Sequence, residues 1–240
     1  RPFAIIAAAL MLALVGPGAA LGHSRTGAVS SSSDADAAAR FTLDLSRRGD
    51  FVAQTDFVQC VGASMQMMLN MIEAKDDRTA RTQRKLQVLA RTFSGPRPDG
   101  VQRQGASVRG WSSGMSVVGA GPYRTVGDPD LQDVLKVAAH AMRDTGRPVG
   151  LLVWRGRHAW VMAGFKATAD PRLTDDFKVL EVIVLDPLYP HGSTVWGASP
   201  KPRESLTVKE VGRQFVRRST RTSFAWSGST SDSAWSKQMS

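Results

Sequence analysis

The sequence predicts a mixed α+β fold in which helices come first and strands follow. Residues 60–74 hold strong helix formers and no proline, whereas the second half carries continuous apolar runs rich in β-branched residues. Helices and strands that occupy separate parts of a chain favour an α+β fold over alternating βαβ units. The 240 residues are 42% hydrophobic, which suffices for one domain with a sizeable core.

The first 22 residues indicate where the protein is sent rather than how it folds. Residues 3–15 form an unbroken apolar run, shorter than the roughly 20 residues of a membrane-spanning helix, and small residues follow up to Gly22. The pattern is typical of a signal peptide cleaved before His23, and a membrane anchor retained over residues 1–22 is the alternative. Both interpretations predict an exported protein, secreted or membrane-tethered, that faces outside the cytoplasm.

Two segments of low complexity flank the predicted domain. Residues 23–40 are rich in Ser and Ala, and residues 228–240 are rich in Ser, a composition typical of solvated segments outside a packed core. We expect the first to be a flexible linker and the second a Ser-rich tail. Residues 41–227 are left for one globular domain.

The first predicted helix begins at Cys60 and ends near Ala74. Its Met67, Met68 and Met71 recur at helical spacing. We interpret this methionine stripe as core packing.

Two further helices are predicted from the residues at their ends. The second helix begins after an Asp128 cap, with Pro129 as its first residue, and ends at Gly146. The third follows a capping box at residues 207–210 and continues through residue 216.

Four strands are predicted in the second half of the domain. They cover residues 149–154, 158–165, 178–186 and 222–226. Arg155, Gly156 and Arg157 are expected to form a turn between the first two strands. Residues 94–127 are rich in Gly, Pro and Ser, and we expect them to form a long irregular excursion.

The chain contains a single cysteine, Cys60. A lone thiol forms no disulfide within its chain and no Cys-rich zinc site, and the four histidines lack metal-ligand spacing, so neither metal nor cofactor is implied. Lone cysteines are most often buried apolar residues, but Cys60 begins a predicted helix, where free N–H groups favour a thiolate. The side-chain amide of Gln54, six residues earlier, is either an oxyanion donor beside the Cys60 N–H or a solvated loop residue.

His158 opens one predicted strand and Asp186 closes the next. In an antiparallel hairpin that places residue 158+n opposite residue 186−n, these two side chains are directly opposed, with Cβ atoms about 5 Å apart. A carboxylate at that distance orients an imidazole for acid–base work. His158 alone is also compatible with a structural role, but together with Cys60 and Asp186 it indicates nucleophilic catalysis.

Three segments resemble papain-like cysteine peptidases, most closely the C39-like (bacteriocin-processing type) group. QTDFVQCVGASMQMMLNM, RHAWVMAGF and VLDPLYPHG are similar to the family's nucleophile helix, His strand and Asp-Pro segment. The resemblance implies a papain-like peptidase domain over residues 41–227, in which the nucleophile helix of an N-terminal helical part packs on an antiparallel sheet. It also implies cleavage of peptide amide bonds through an acyl-thioester. The implied roles are nucleophile for Cys60, general acid/base for His158, orienting group for Asp186 and oxyanion donor for Gln54.

Two other protein classes stay open. His-Ala-Trp followed by Asp-Pro is also similar to transglutaminase-like acyl transferases, although their Cys–His and His–Asp spacings are usually shorter than the 98 and 28 residues found here. The other alternative is a papain-like module that binds peptides or cell-envelope material without turnover. All four expected positions hold chemically suitable side chains, which favours the enzyme.

The net charge of +10 arises from 31 Lys and Arg against 21 Asp and Glu. This excess favours an anionic partner, and for an exported protein we expect the surface of the cell envelope. The basic residues are dispersed and no nucleic-acid-binding signature is present, which disfavours nucleic acid. The expected partner of the site itself is a peptide or protein substrate.

Overall fold

The structure is a computed structural model. It describes residues 41–97, 99–101 and 103–215, together with the backbone of residues 222–225. The predicted signal peptide or anchor at 1–22, the linker at 23–40 and the tail at 228–240 lie outside the described residues. No helix in the described part of the chain is long and apolar enough to cross a membrane.

The described residues form an α+β fold, as predicted. The helices are α1 (Cys60–Glu73), α2 (Ala80–Thr92), α3 (Val108–Val117), α4 (Leu131–Thr145) and α5 (Val208–Gln214). The strands are β1 (Phe41–Asp44), β2 (Arg124–Gly127), β3 (Val149–Val153), β4 (His158–Ala167), β5 (Val179–Leu185), β6 (Gly192–Ser193), β7 (Gly197–Ala198), β8 (Glu204–Thr207) and β9 (Thr222–Ala225).

The main sheet is a curled antiparallel sheet of five strands built around β4. β3 and β1 pair in succession along one edge of β4, and β5 pairs along the other edge. β8 extends the sheet beyond β5. Nine of the ten residues of β4 are buried, as expected for a central strand that is covered on both faces.

Helices cover both faces of this sheet. On one face α1, α2 and α3 form a core with Ala159 and Val161 of β4. On the other face α4 and α5 pack with Trp160 and Met162 of the same strand. Alternate residues of β4 therefore enter different cores, because successive side chains of a strand point to opposite faces.

α1 forms over the predicted segment and ends where Ala74 adopts the left-handed conformation, with φ of 55°. Met67 and Met68 are fully buried and Met71 packs against the same core, which confirms the interpretation of the methionine stripe. The helix lies on the sheet, where the hydroxyl of Ser64 donates to the carbonyl oxygen of Ala159 at 3.4 Å.

The first turn of α1 is held against α2 through Gly62. The N–H of Gly62 donates to Oε1 of Gln87 at 2.8 Å, and both groups are buried. A Cβ at position 62 would lie 2.6 Å from the carbonyl oxygen of Gln83. The absence of a side chain at Gly62 therefore permits the close helix contact that fixes the position of Cys60.

The prediction of an irregular excursion over residues 94–127 is wrong, because α3 and β2 form within it. In α3, the backbone of Gly110 approaches the carbonyl oxygen of Ala90 in α2 too closely for any side chain. The glycines that suggested a loop thus serve helix packing, and tertiary contact overrides weak helix propensity.

α2 and β1 carry no sequence signal strong enough to predict them. The apolar residues that α2 buries are few among basic and polar neighbours: Leu86, Leu89 and Ala90. The capping residue that starts α2 is Thr79, whose hydroxyl accepts from the N–H of Thr82. β1 has only four residues, and its place in the sheet depends on pairing with the distant β4.

α4 begins later than predicted. Its cap is Asp130, which accepts from the N–H of Asp133 at 3.2 Å, and its first residue is Leu131. Asp128 instead accepts from the N–H of Asp130, so the predicted start at Asp128 and Pro129 is wrong by two residues. The predicted C-terminus is correct, since Gly146 caps the helix with φ of 64°.

The remaining boundaries agree more closely with the sequence. The capping box of α5 is confirmed, because Thr207 and Glu210 bind each other's N–H groups, although α5 ends at Gln214. β3 ends at Val153, one residue earlier than predicted. β9 confirms the last predicted strand and pairs with β2 outside the main sheet.

Candidate active site

Cys60 is the first residue of α1 and is partly exposed. Gln59, before it, makes no side-chain capping bond, and the first turn of α1 contains no acidic residue. No carboxylate of this turn therefore opposes a negative sulfur at the positive end of the helix dipole. Cys60 packs against the edge of the core that contains the methionines, and it also lines a pocket together with His158.

His158 and Asp186 form a buried pair at one end of the main sheet. Nε2 of His158 donates to Oδ1 of Asp186 at 2.6 Å, and the two side chains are 4% and 0% exposed. The same Oδ1 accepts the N–H of Leu188 at 2.8 Å, which fixes the carboxylate relative to the chain after β5. Asp186 therefore fixes the orientation of the imidazole ring and leaves Nδ1 free for a partner on the other side of the ring.

The predicted register of this hairpin is wrong by two residues, although the contact it was meant to explain is present. Met162 pairs with Val184 and Val161 with Leu185, so continuation of this register places position 158 opposite position 188. His158 and Asp186 are consequently diagonal neighbours rather than directly opposed ones. They still meet because diagonal positions share one face and lie within reach of long side chains.

The environment of His158 favours the protonated imidazole. Burial of the ring by itself lowers the pKa of His158, but hydrogen bonds to Asp186 and to the sulfur of Cys60, with the charges of both groups, raise the pKa to about 9. Because Asp186 occupies Nε2, Nδ1 is the nitrogen that remains for the sulfur. Cys60, His158 and Asp186 thus lie in one connected row.

Trp154 is a site residue that the sequence did not indicate. Its indole stacks on the imidazole of His158, with ring centroids 4.2 Å apart and an angle of 24° between the planes. The sequence places Trp154 at the end of an apolar strand, but the backbone leaves β3 at this point and forms a tight turn. The only available signal was the Arg-Gly pair that follows, which marks the turn but not the stacking.

Gln54 is connected to the site through the chain that follows Asp186. Its N–H donates to the carbonyl oxygen of Pro187 at 2.8 Å. Its side-chain Nε2 donates to the carbonyl oxygen of Asp56 at 2.8 Å, while Oε1 is buried without a hydrogen-bond partner in the described residues. Gln54 does not line the pocket that contains Cys60 and His158. Its role as an oxyanion donor stays a prediction, with one amide hydrogen left for a substrate.

The pocket beside Cys60 has a volume of about 680 Å³ and is open to solvent. Its wall consists of Cys60 and its neighbours before and within α1, the turn that leads into β4, and residues from the segment between α2 and α3. Arginines line it at three positions, Arg97, Arg103 and Arg157, and no Asp or Glu does. This size suits a few residues of an extended peptide.

Comparisons of this chain with protein-family models, with curated proteins and with solved structures found no match. Within the described residues, no group of three or more His, Cys, Asp or Glu side chains is arranged to hold a metal ion.

Proposed function

We propose that this protein is a cysteine peptidase of the papain-like type, closest to the C39-like group, that hydrolyses peptide amide bonds. The observation that carries the proposal is the buried imidazole of His158, bound on Nε2 by Asp186 and hydrogen-bonded to the sulfur of Cys60. A nucleophile, a base within reach and a third group that orients the base form the arrangement of a covalent catalyst.

In the first half of the reaction, the sulfur of Cys60 attacks the carbonyl carbon of the scissile amide. A His158 with a pKa of about 9 carries a proton at neutral pH, and a protonated imidazole beside a sulfur stabilises the thiolate. As the tetrahedral intermediate collapses, His158 gives this proton to the leaving nitrogen. The C–N bond breaks, the amine departs, and the acyl group stays on Cys60 as a thioester.

In the second half, water attacks the thioester. His158, now neutral, takes one proton from the water as its oxygen bonds to the carbonyl carbon. The C–S bond then breaks, the carboxylic acid product leaves, and the sulfur retains the electron pair. The site returns to a thiolate beside a protonated imidazole, so no external reductant or oxidant is required.

The negative oxygen of both tetrahedral intermediates needs hydrogen-bond donors. The backbone N–H of Cys60 is one such donor in this proposal, and the side-chain amide of Gln54 is the other. The bond from Nε2 of Gln54 to Asp56 fixes the plane of the amide before substrate arrives. Donors that are already oriented stabilise the developing charge without reorganisation in the transition state.

The open pocket beside Cys60 supports turnover rather than binding alone, since a substrate carbonyl can approach the sulfur from solvent. An exported location, secreted or membrane-tethered, and an affinity for the anionic cell envelope are further parts of the proposal. Both rest on the apolar N-terminal run and the charge of +10.

The proposal is tested with the full chain and its Cys60→Ala variant on a panel of fluorogenic peptides, with mass spectrometry of a trapped acyl-enzyme. We expect hydrolysis and a substrate-derived adduct on Cys60 in the wild type, and neither in the variant. Iodoacetamide labels wild-type Cys60 faster than free cysteine at pH 6 if the thiolate is stabilised. An inert wild type with an unreactive Cys60 contradicts the proposal, and addition of amine nucleophiles shows whether the acyl group is transferred to amines rather than water.

A further inference from the structure

We infer that the cleft beside Cys60 selects a substrate segment that carries a carboxylate next to an apolar side chain, with Arg103 and Arg157 as the carboxylate receptor. The inference rests on the proposed peptidase function and specifies its substrate class. It is drawn from the charges and the exposed apolar residues that surround the pocket.

The charge of the cleft is of one sign. Three arginines line it, and no acidic side chain does. Arg97 is paired with Asp99 at 3.0 Å, so its charge is largely balanced. Arg103 and Arg157 make no ion pair within the described residues, which leaves two positive charges facing the pocket. Clefts lined by a single sign of charge attract and orient ligands of the opposite sign.

Arg103 carries an unmet hydrogen-bond donor. Its Nε is buried and has no hydrogen-bond partner among the described residues. Buried donors are rarely left unpaired because desolvation without a partner is costly. A guanidinium presents Nε and one terminal nitrogen as a planar fork that matches the two oxygens of a carboxylate. A bound carboxylate would therefore satisfy this donor.

The position of Arg157 places the carboxylate near the scissile bond. Arg157 directly precedes His158, and both residues line the pocket together with Cys60. A carboxylate held between Arg157 and Arg103 thus belongs to a residue close to the reacting amide. Either an Asp or Glu side chain or the C-terminal carboxylate of a peptide has this chemistry.

Three other residues of the pocket lining are apolar and exposed. Phe57, Val58 and Val101 line the same pocket with 87%, 38% and 56% of their surface accessible. Phe57 and Val58 precede Cys60 by three and two residues, so an apolar substrate side chain that covers them lies beside the sulfur. Exposed apolar side chains grouped at the edge of a cleft are typical of binding sites.

The inference is tested by binding, so that its outcome does not depend on turnover. The full-length Cys60→Ala variant is titrated with three fluorescent peptides that share a central Leu-Leu pair. The first has an internal Glu and an amidated C-terminus, the second has Gln in its place and a free C-terminus, and the third has Gln and an amidated C-terminus. We expect one of the two carboxylate peptides to bind about tenfold more tightly than the third peptide, and which one it is identifies the source of the carboxylate.

Variants assign the preference to the two arginines. In the Cys60→Ala background, Arg103→Gln and Arg157→Gln are each expected to remove most of the tenfold preference, whereas Arg84→Gln on the outer surface of α2 retains it. The preference should also disappear in about 1 M salt, where screening acts over roughly 3 Å. A variant that does not fold is replaced by this salt series, which requires no substitution at the site.

Equal binding of all three peptides, or a preference that survives both arginine substitutions, overturns the inference. The proposed function is judged separately by activity of the wild type on the same peptides. Hydrolysis of all three at equal rates with equal binding leaves the peptidase supported and the carboxylate preference refuted. An inert wild type whose Cys60→Ala variant binds acidic peptides through the arginines contradicts the peptidase and supports the receptor.

Discussion

The indole of Trp154 stacks on the imidazole of His158 with 4.2 Å between the ring centroids. The turn that places the indole there holds Trp154 at φ of 56° and Arg155 at φ of 54°, in a region that L-amino acids rarely adopt. Strained backbone of this kind costs about 1–3 kcal/mol per residue and persists where the surrounding structure enforces it. Asp186 binds Nε2 of the imidazole and the indole packs on the face of the ring. Together the two contacts restrict rotation of the His158 side chain.

Replacement of Trp154 by Leu is expected to lower kcat about tenfold with little change in KM, because His158 loses the surface that fixes its ring plane. Trp154→Phe retains an aromatic face and should recover most of the activity. The measurement is the pH–rate profile of each variant alongside the NMR titration of His158. Wild-type kcat and an unchanged profile in Trp154→Leu would show that the stacking has no positioning role.

The three residues Cys60, His158 and Asp186 could be predicted because each is marked by a local feature of the sequence. Cys60 begins a helix without proline, His158 begins an apolar strand, and Asp186 follows a strand rich in β-branched residues. Their exact pairing was not predictable, since bulges between β4 and β5 shift the register and leave no mark in a period-two pattern. Trp154 and the cleft arginines escaped prediction because their roles arise from contacts between distant segments.

The secondary structure could be predicted where the apolar pattern of the sequence is strong. It could not be predicted where tertiary packing determines the backbone conformation. β4, β5 and α1 follow from runs of apolar residues. α3 does not, because its helical conformation depends on Gly110 packing against the backbone of α2. The same glycine lowers intrinsic helix propensity, so a sequence pattern favours a loop at a position where tertiary contact favours a helix.

Asp186→Ala is expected to lower kcat/KM by about 10²-fold or more, because His158 loses the acceptor on Nε2 and with it the correct orientation of Nδ1. Asp186→Asn retains an acceptor oxygen and should lose less. The pKa of His158 should fall in both variants, since the bond and charge of Asp186 raise it. Steady-state kinetics and NMR titration test this, and an unaltered pKa in Asp186→Ala would refute the assigned pairing.

Gln54→Ala is expected to lower kcat by about 10²-fold with KM nearly unchanged, if its amide binds the oxyanion only in the transition state. Gln54→Glu preserves the shape and replaces the amide donor by a carboxylate, so it should be at least as damaging. Gln54 does not line the pocket, so these two variants are the sharpest test of its role. Normal kcat in both variants would show that Gln54 has no catalytic role and that its contribution is structural, through the hydrogen bond of its N–H to Pro187.

Gly62→Ala is expected to destabilise the protein by about 1–3 kcal/mol, because a Cβ would lie 2.6 Å from the carbonyl oxygen of Gln83 and 2.9 Å from Cβ of Gln87. The higher helix propensity of alanine, about 1 kcal/mol, does not offset this clash. Gly212→Ala is the matched control, since its Cβ would have only an ordinary contact with Leu131 at 3.4 Å. Urea unfolding should show a lower midpoint for Gly62→Ala and an equal or higher one for Gly212→Ala.

The free energy of unfolding is expected to fall as pH rises from about 6.5 to 9. His158 has a pKa of about 9 in the folded protein against 6.5 for an unperturbed histidine. Below pH 6.5 both states bind the proton and the contribution is fully present. Between the two values only the folded state retains the proton, so folding takes up a proton and stability decreases with pH, by about 3 kcal/mol in all.

The pH dependence is assigned to His158 by comparing urea unfolding of three proteins across this range. His158→Asn should lose this part of the slope entirely. Cys60→Ser should lose only part of it, because Asp186 still raises the pKa of His158 while the contribution of the sulfur is gone. Activity that requires the protonated imidazole should decline above pH 9 in the wild type and at lower pH in Asp186→Asn. Equal slopes of unfolding free energy against pH in wild type and His158→Asn would mean that other groups cause the loss of stability. Folding would then not raise the pKa of His158.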